Sequence, residues 1–317
     1  MADVLTQTEI AMTGTRRAVR GDGPDFICIG AQKGGTQWLY DQLVFHPDLW
    51  MTPIKELHVF DRARRAFRRA KRLYVRVESD LDKVNAKRVS GTGRPLLERD
   101  VRFLKSYVDL FQSKRVLKDP GRRIEAYARL FREKDHRFTG DVTPGYSKLG
   151  SDEVVRIAGR FPEARILFIA REPIERLWSS FCMAARQGRP GVPESVSPES
   201  VIAFARQKPV ALRSYPSVIV ERWRSAARPG QFGLFFFDDL RRDAAGLRSQ
   251  ILGYIGADPA LPSGDLDPAF NRKSKTAKLE LTGDVRAALV EHFAEELVRC
   301  EQVLGGPAVE WRRKYGV

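Results

Sequence analysis

The chain has 317 residues, 43% of them hydrophobic, which is enough for one sizeable core and ordinary for a globular protein. Lys and Arg total 55 against 40 Asp and Glu, a net charge of +15 that favours an anionic partner, but no zinc-finger, helix-turn-helix or RNP-type aromatic pattern accompanies it, so nucleic acid is not expected. No apolar run is long enough to span a bilayer, the first 20 residues hold no signal core or lipidation motif, and Cys28, Cys182 and Cys300 are scattered without a C-x-x-C, so a cytoplasmic protein with reduced core thiols is expected.

Residues 1–24 are polar and aperiodic and read as a flexible tail before a single domain, 25–317. Phe26–Gly30 is a short apolar strand; the chain then breaks at Lys33-Gly34-Gly35 and resumes as a helical pattern through Leu39, Leu43 and Phe45. Strand, glycine loop and helix in this order make a phosphate loop. Gly34 and Gly35 let the backbone turn tightly and bring its amides to an anion, the helix N-terminus adds its dipole, and Lys33 adds a mobile charge. The lysine precedes the glycines and no Gly-Lys-Ser/Thr occurs, so the loop is not fitted to a Mg-bound triphosphate. After the His46-Pro47-Asp48 turn, Met51–Phe60 is expected to run extended, which sets Glu56 and His58 on one side. Such a pair after a phosphate loop offers a base for an acceptor proton; taken alone it reads first as a surface Lys-Glu-x-His run on a loop.

Arg62–Arg72 reads as an amphipathic helix with Ala63, Ala66, Phe67, Ala70 and Leu73 on its apolar side, capped by Asp61. Its dense basic face fits a solvated surface, or a dock for an acceptor or a membrane surface. Residues 79–98 read as a loop, Asp100–Phe111 as helix, Val116-Leu117 as a short strand, Arg122–Arg132 as helix, and Gly140–Tyr146 by itself as a Pro-Gly turn. Ala164–Ala170 is apolar but for Arg165, as suits a buried parallel strand, and ends at Arg171, with Pro173 suited to the first turn of the next helix. An arginine at the end of a strand and Ser179 in the following helix can converge on a phosphate at the edge of an open α/β sheet; a structural helix start is the alternative. Residues 186–200 read as a loop, Tyr215–Ala227 as a helix holding Trp223, Phe232–Phe237 as a third strand, Leu240–Ile255 as helix, Asp258–Pro268 as loop, Asn271–Lys278 as a basic turn-like run, and Leu281–Leu304 as the last long helix. The expected fold is a single α/β domain with a central, mostly parallel sheet flanked by helices.

Four of these stretches resemble, in order, the motifs of the sulfotransferases that use 3′-phosphoadenosine 5′-phosphosulfate (PAPS), above all the glycan- and heparan-sulfating branch. Gln32-Lys33-Gly34-Gly35-Thr36 is similar to their 5′-phosphosulfate loop, Lys55-Glu56-Leu57-His58-Val59-Phe60-Asp61 to K-E-x-H-F-F-D, Arg171-x-Pro173-x-x-Arg176-x-x-Ser179 to the 3′-phosphate site, and Lys273-Ser274-Lys275 to the K-S-K-G loop over the 3′-phosphate and adenine. Gly140-Asp141-Val142-Thr143-Pro144-Gly145-Tyr146 resembles G-E-K-[ST]-P-x-Y. Val142 departs from its lysine, and Thr276 and Ala277 depart from the usual Gly-Arg after the last motif.

The resemblance implies sulfuryl transfer from PAPS to a hydroxyl or amine of a glycan, lipid or small molecule, with no metal. It implies Glu56 as base with His58 and Asp61 in support, Lys33 at the departing oxygen, and Gly34, Gly35, Thr36 and Gln37 on the 5′-phosphate. Arg171, Ser179, Lys273, Ser274 and Lys275 would hold the rest of the nucleotide, and Thr143 would lie on the acceptor side. A kinase-like phosphotransferase and a non-catalytic polyanion- or nucleotide-binding protein are the rival readings; the first lacks its Gly-Lys-Ser/Thr, and the second needs none of the ordered motifs.

Overall fold

A computed structural model describes residues 21–61, 64–90, 94–189, 196–262 and 279–317. Strand β1 (Phe26–Gly30) leads into α1 (Thr36–Val44), and after a long connection come α2 (Arg64–Ser79), α3 (Leu81–Ser90), α4 (Glu98–Gln112), α5 (Lys114–Lys118) and α6 (Pro120–Arg129). Then follow β2 (Gly140–Val142), α7 (Ser151–Arg160), β3 (Arg165–Ala170), α8 (Pro173–Arg186), α9 (Pro198–Arg206), α10 (Lys208–Ala211) and α11 (Pro216–Ala226). β4 (Phe232–Phe236), α12 (Phe237–Arg242), α13 (Ala244–Ile255), α14 (Gly283–Leu304) and α15 (Ala308–Tyr315) complete the order.

Among the described residues the strands form one four-stranded sheet in the order β2-β1-β3-β4, every neighbouring pair parallel. Alternate side chains explain how it is covered. Ile27 and Ile29 of β1 and Ile166, Phe168 and Ala170 of β3 enter one apolar cluster, while Phe26, Cys28, Leu167 and Ile169 enter the other, so both faces are buried and helices lie on each. Cys28, Cys182 and Cys300 are all buried free thiols. The order 2-1-3-4 reverses direction between β1 and β3, and a parallel sheet leaves a crevice at the carboxyl ends of those two strands.

Several expectations from the sequence are corrected here. Residues 79–98 are not all loop: Leu81–Ser90 is helical, started by Asp80, whose carboxylate accepts the Lys83 amide at 2.8 Å, and free of Gly and Pro throughout. Val116-Leu117 is not a strand but part of α5, capped by the Ser113 hydroxyl. Gly140–Val142 is more than a turn: it is the strand paired to β1, short and polar because a register of three residues suffices at the sheet edge. Leu240–Ile255 is two helices, divided at Asp243, whose side chain caps the second. Of the expected tail, residues 1–20 lie outside the described residues; next to them Asp22 pairs with Arg132 at 3.0 Å and the Gly23 carbonyl accepts from Lys134 at 2.9 Å. Among the described residues no helix is long and apolar enough to cross a membrane.

Candidate active site

The crevice begins at the end of β1. Lys33 takes a left-handed backbone (φ 71°), Gly35 another (φ 90°), and Gly34 is packed so tightly that a Cβ there would stand 2.7 Å from the Ile169 carbonyl oxygen. Glycine is therefore required at 34 for close approach and at 35 for conformation. The loop delivers the chain to α1 with no side-chain cap and no acid in the first turn, so its first amides remain without intrahelical acceptors at a positive dipole end. This is a cradle for an anion. Thr36 is buried as the first residue of α1, while Gln37 is exposed, its amide nitrogen on Asp41 (2.8 Å) and its oxygen accepting from Lys55 (3.2 Å).

Arg171 stands where β3 ends. Its guanidinium donates to the Lys33 carbonyl at 2.7 Å, lies 4.4 Å over the Phe237 ring and reaches Glu175 at 3.3 Å, while its Nε is buried with no partner among the described residues. Glu172 caps α8 by accepting from the Ile174 and Glu175 amides, and Pro173 fills the first turn, so the helix start and the arginine are built together. Ser179 is partly exposed in the second turn of α8. Lys273, Ser274 and Lys275 lie outside the described residues.

Glu56, His58 and Asp61 come together, though not as an extended segment would bring them. Glu56 (φ 63°) and His58 (φ 53°) both adopt the left-handed region, which costs a non-glycine residue about 1 kcal/mol or more and persists only where the surroundings enforce it. The enforcement is visible around Leu57 between them. Its side chain is fully buried and its carbonyl accepts from the Tyr107 hydroxyl at 2.6 Å, its amide bonds the Asp141 carboxylate, and the Val59 amide donates to the Tyr146 hydroxyl at 3.1 Å. The turn thus formed aims Glu56 back at His58: Nε2 lies 3.1 Å from Glu56 Oε2, and Nδ1 2.8 Å from Asp61 Oδ1.

Burial works against a charged imidazole here, yet the hydrogen bonds and charges of Asp61 and Glu56 prevail and push the His58 pKa up to about 9. His58 therefore donates from both nitrogens, a cationic bridge between two carboxylates. Burial also raises the two acids, but the bond from His58 and the nearby Lys55 hold Glu56 below its ordinary value, and His58 and Lys148 do the same for Asp61. Lys148 lies 3.0 Å from Asp61, and Gly145 must be glycine because a Cβ would meet Asp61 Oδ2 at 2.5 Å. Asp61 is thus engaged by both His58 and Lys148, while residues 62–63, where the expected cap of the basic helix falls, lie outside the described residues. Lys55 touches Glu56 at 3.5 Å as well as Gln37, so one polar line runs from α1 to the Glu56 carboxylate.

Asp141, in β2, is fully buried and accepts from Thr143 (2.6 Å) and Tyr127 (3.2 Å); burial, opposed first by the Thr143 bond, raises its pKa to about 6. Thr143, expected on the acceptor side, is itself fully buried with its hydroxyl on Asp141, so it stands behind the site and supports it. Asp141, Tyr107, Tyr127, Tyr146 and Lys148 were not singled out as a group by the sequence. The only signal was the Gly140–Tyr146 segment, and its residues face the back of the Glu56 turn.

A model of the Sulfotransferase family matches residues 24–259. The chain belongs to the Sulfotransferase family. No curated protein matches the family member by sequence. Among solved structures it is similar to a sulfotransferase from Alicyclobacillus acidocaldarius, at 20% identity over 93% of this chain and 100% of that one with a TM-score of 0.59, which shows the shared fold. A sulfotransferase domain from the Synechococcus PCC 7002 olefin synthase aligns at 18% identity over 88% of this chain and 98% of that one, with a TM-score of 0.48. The family match runs from just before β1 to just after α13, and so takes in the glycine loop, the Glu56–Asp61 turn and Arg171.

Proposed function

We propose that this sulfotransferase moves the sulfuryl group of PAPS to a hydroxyl or amine of a glycan, lipid or small-molecule acceptor. The observation that carries the reading is the fastening of Arg171 to the Lys33 carbonyl at the reversal of strand order, which sets a guanidinium whose buried Nε has no partner among the described residues beside a glycine cradle. That arrangement fits a nucleotide with phosphates at two ends. The Gly34–Gln37 amides and Lys33 would hold the 5′-phosphate end, and Arg171 and Ser179 the 3′-phosphate. PAPS, when bound, supplies an activated sulfuryl group whose acceptor must approach in line.

The residues of the chain then have separate tasks. Lys33 brings positive charge to the oxygen that departs. Glu56, 38% exposed at its side chain and ionised, takes the acceptor proton. His58, already protonated at neutral pH, cannot take it; it holds the Glu56 carboxylate in place, with Asp61 and Lys148 fixing its other edge. Positioning and charge placement account for most of the rate in such transfers. Lys273, Ser274 and Lys275 complete the nucleotide site in this reading, and residues 25–317 act as one domain of a cytoplasmic enzyme.

Calorimetry with adenosine 3′,5′-bisphosphate and AMP tests this reading. A clear preference for the bisphosphate is expected, and equal affinity would remove the assignment.

A further inference from the structure

The chain continues past the residues matched by the family model, 24–259, into α14 and α15, and α15 meets the start of α8, next to Arg171. Three of its side chains make the junction. Trp311 is 2% exposed, sets its ring edge-on to Phe236 with centroids 5.9 Å apart, and donates from its indole to Asp238 at 3.2 Å. The Tyr315 hydroxyl donates at 2.9 Å to Glu172, the carboxylate that caps α8. Lys314 donates to Glu175 Oε1 at 2.8 Å.

Glu175 is the point at which this junction reaches the crevice. Its Oε2 accepts from Arg171 at 3.3 Å and from Arg241, and its Oε1 from Lys314, so one carboxylate is shared by three cations. Burial opposes its charge, but the bonds from Arg241 and Lys314 prevail and hold its pKa down at about 2. An ionised carboxylate one hydrogen bond behind Arg171 would by itself repel a phosphate placed on that guanidinium. Arg241 and Lys314 reverse the balance, because the four side chains together carry two net positive charges. Arg171 is meanwhile fixed on one side by the Lys33 carbonyl and on the other by Glu175, while its buried Nε has no partner among the described residues.

We propose that α15 is a working part of the nucleotide site, with Lys314 as a positioning residue that neutralises Glu175 and so leaves the Arg171 guanidinium to serve the 3′-phosphate. Lys314 acts through Glu175 and does not itself touch the nucleotide. The inference rests on the sulfuryl-transfer reading, in which Arg171 holds the 3′-phosphate, and adds to that site a helix from beyond the residues that carry the family's pattern.

Calorimetry with adenosine 3′,5′-bisphosphate and AMP on the wild type, Lys314→Met and the double variant Lys314→Met with Glu175→Gln tests this. The Lys314 side chain is 45% exposed, so Met there leaves the fold in place. Lys314→Met should weaken the bisphosphate about 3- to 10-fold and leave AMP within about twofold of the wild type, because the lost charge acts on the 3′-phosphate alone. Adding Glu175→Gln should recover the bisphosphate affinity. The amide oxygen can keep both arginine bonds at the Oε2 position, the amide nitrogen takes the side that Lys314 vacates, and two net positive charges are restored. A helix that only braces the fold would lose both nucleotides alike and would not be rescued by a second substitution. An unchanged bisphosphate affinity in Lys314→Met, an equal loss for AMP, or a loss that Glu175→Gln fails to recover therefore overturns the proposal. Equal affinity of the wild type for the two nucleotides would remove the sulfuryl-transfer reading and this inference together, whereas a bisphosphate preference indifferent to Lys314 removes this inference alone.

Discussion

The Arg171 guanidinium donates to the main-chain carbonyl of Lys33 at 2.7 Å, so the residue that ends β3 is tied to the loop that follows β1. The two strands are neighbours at the reversal of strand order, and this bond fixes the width of the crevice between their ends. With Phe237 beneath it and Glu175 on its far edge, Arg171 is held in plane. Arg171→Lys keeps the charge but loses the fork and the stacking. We expect it to weaken adenosine 3′,5′-bisphosphate by about 10- to 100-fold, the span of one or two charge-assisted hydrogen bonds, with AMP binding little changed. Calorimetry on both nucleotides checks it; an equal loss for AMP would show that Arg171 merely shapes the loop.

Asp141 acts from behind the turn. Its carboxylate only accepts, from Thr143, Tyr127 and the Leu57 amide, and Asn would place an N–H₂ against one set of these donors. Asp141→Asn is expected to destabilise the protein by about 1–3 kcal/mol in denaturant titration. It should also lower kcat, because Glu56 and His58 lose the anchor of their left-handed backbone, while KM for PAPS holds. A folded variant with full kcat would separate Asp141 from the site.

The pH dependence follows from His58. A histidine whose pKa is raised in the fold to about 9, from an ordinary 6.5, stabilises the protein fully below pH 6.5 and loses that contribution as pH rises through about 9. Glu56 and Asp61, held below their ordinary values, act in the opposite sense: their contribution is present above those ordinary values and fades as pH falls through their lowered ones. Thermal melts should therefore drop between about pH 7 and 9.5 in the wild type, and this drop should be smaller in His58→Asn. An identical alkaline drop in both proteins would exclude the bridge.

Much of this was legible in the sequence. The short apolar runs of β1 and β3, the glycine loop and Pro173 at a helix start are local signals, and each marked its element. β2 was not, since three residues of Gly-Asp-Val carry no strand pattern and are held by β1. The backbone of Glu56 and His58 was likewise hidden: nothing local in Lys-Glu-Leu-His demands two left-handed residues, and hydroxyls from Tyr107 and Tyr146, distant in the chain, impose them.

The basic helix α2 divides its arginines. Ala66, Ala70, Leu73 and Val77 face the core, and Arg65 and Arg72 are exposed, but Arg69 donates to the Lys55 carbonyl at 2.8 Å, immediately before Glu56. Joint replacement of Arg65 and Arg72 by Gln should leave kcat unchanged. Arg69→Gln should lower it several-fold through the Glu56 turn, at a cost of about 1 kcal/mol in stability. Steady-state kinetics on an accepted substrate decides. A large rise in acceptor KM from the Arg65 and Arg72 pair, relieved at high salt, would instead make this face a dock for an anionic acceptor.

Glu56 and His58 compete for the role of base, and their protonation separates them. A base must be free of its proton at working pH; Glu56 is ionised there, and His58 holds its proton up to about pH 9. Glu56→Gln preserves shape and a hydrogen bond to His58 while removing the group that takes the proton. It should lower kcat by about 10²- to 10⁴-fold with adenosine 3′,5′-bisphosphate affinity retained. His58→Asn should lower kcat less, because Glu56 stays ionised beside Lys55 but loses the bridge that aims it. Single-turnover rates with PAPS and a common acceptor read both. Turnover abolished in His58→Asn but largely kept in Glu56→Gln would reverse the assignment and make the histidine the base.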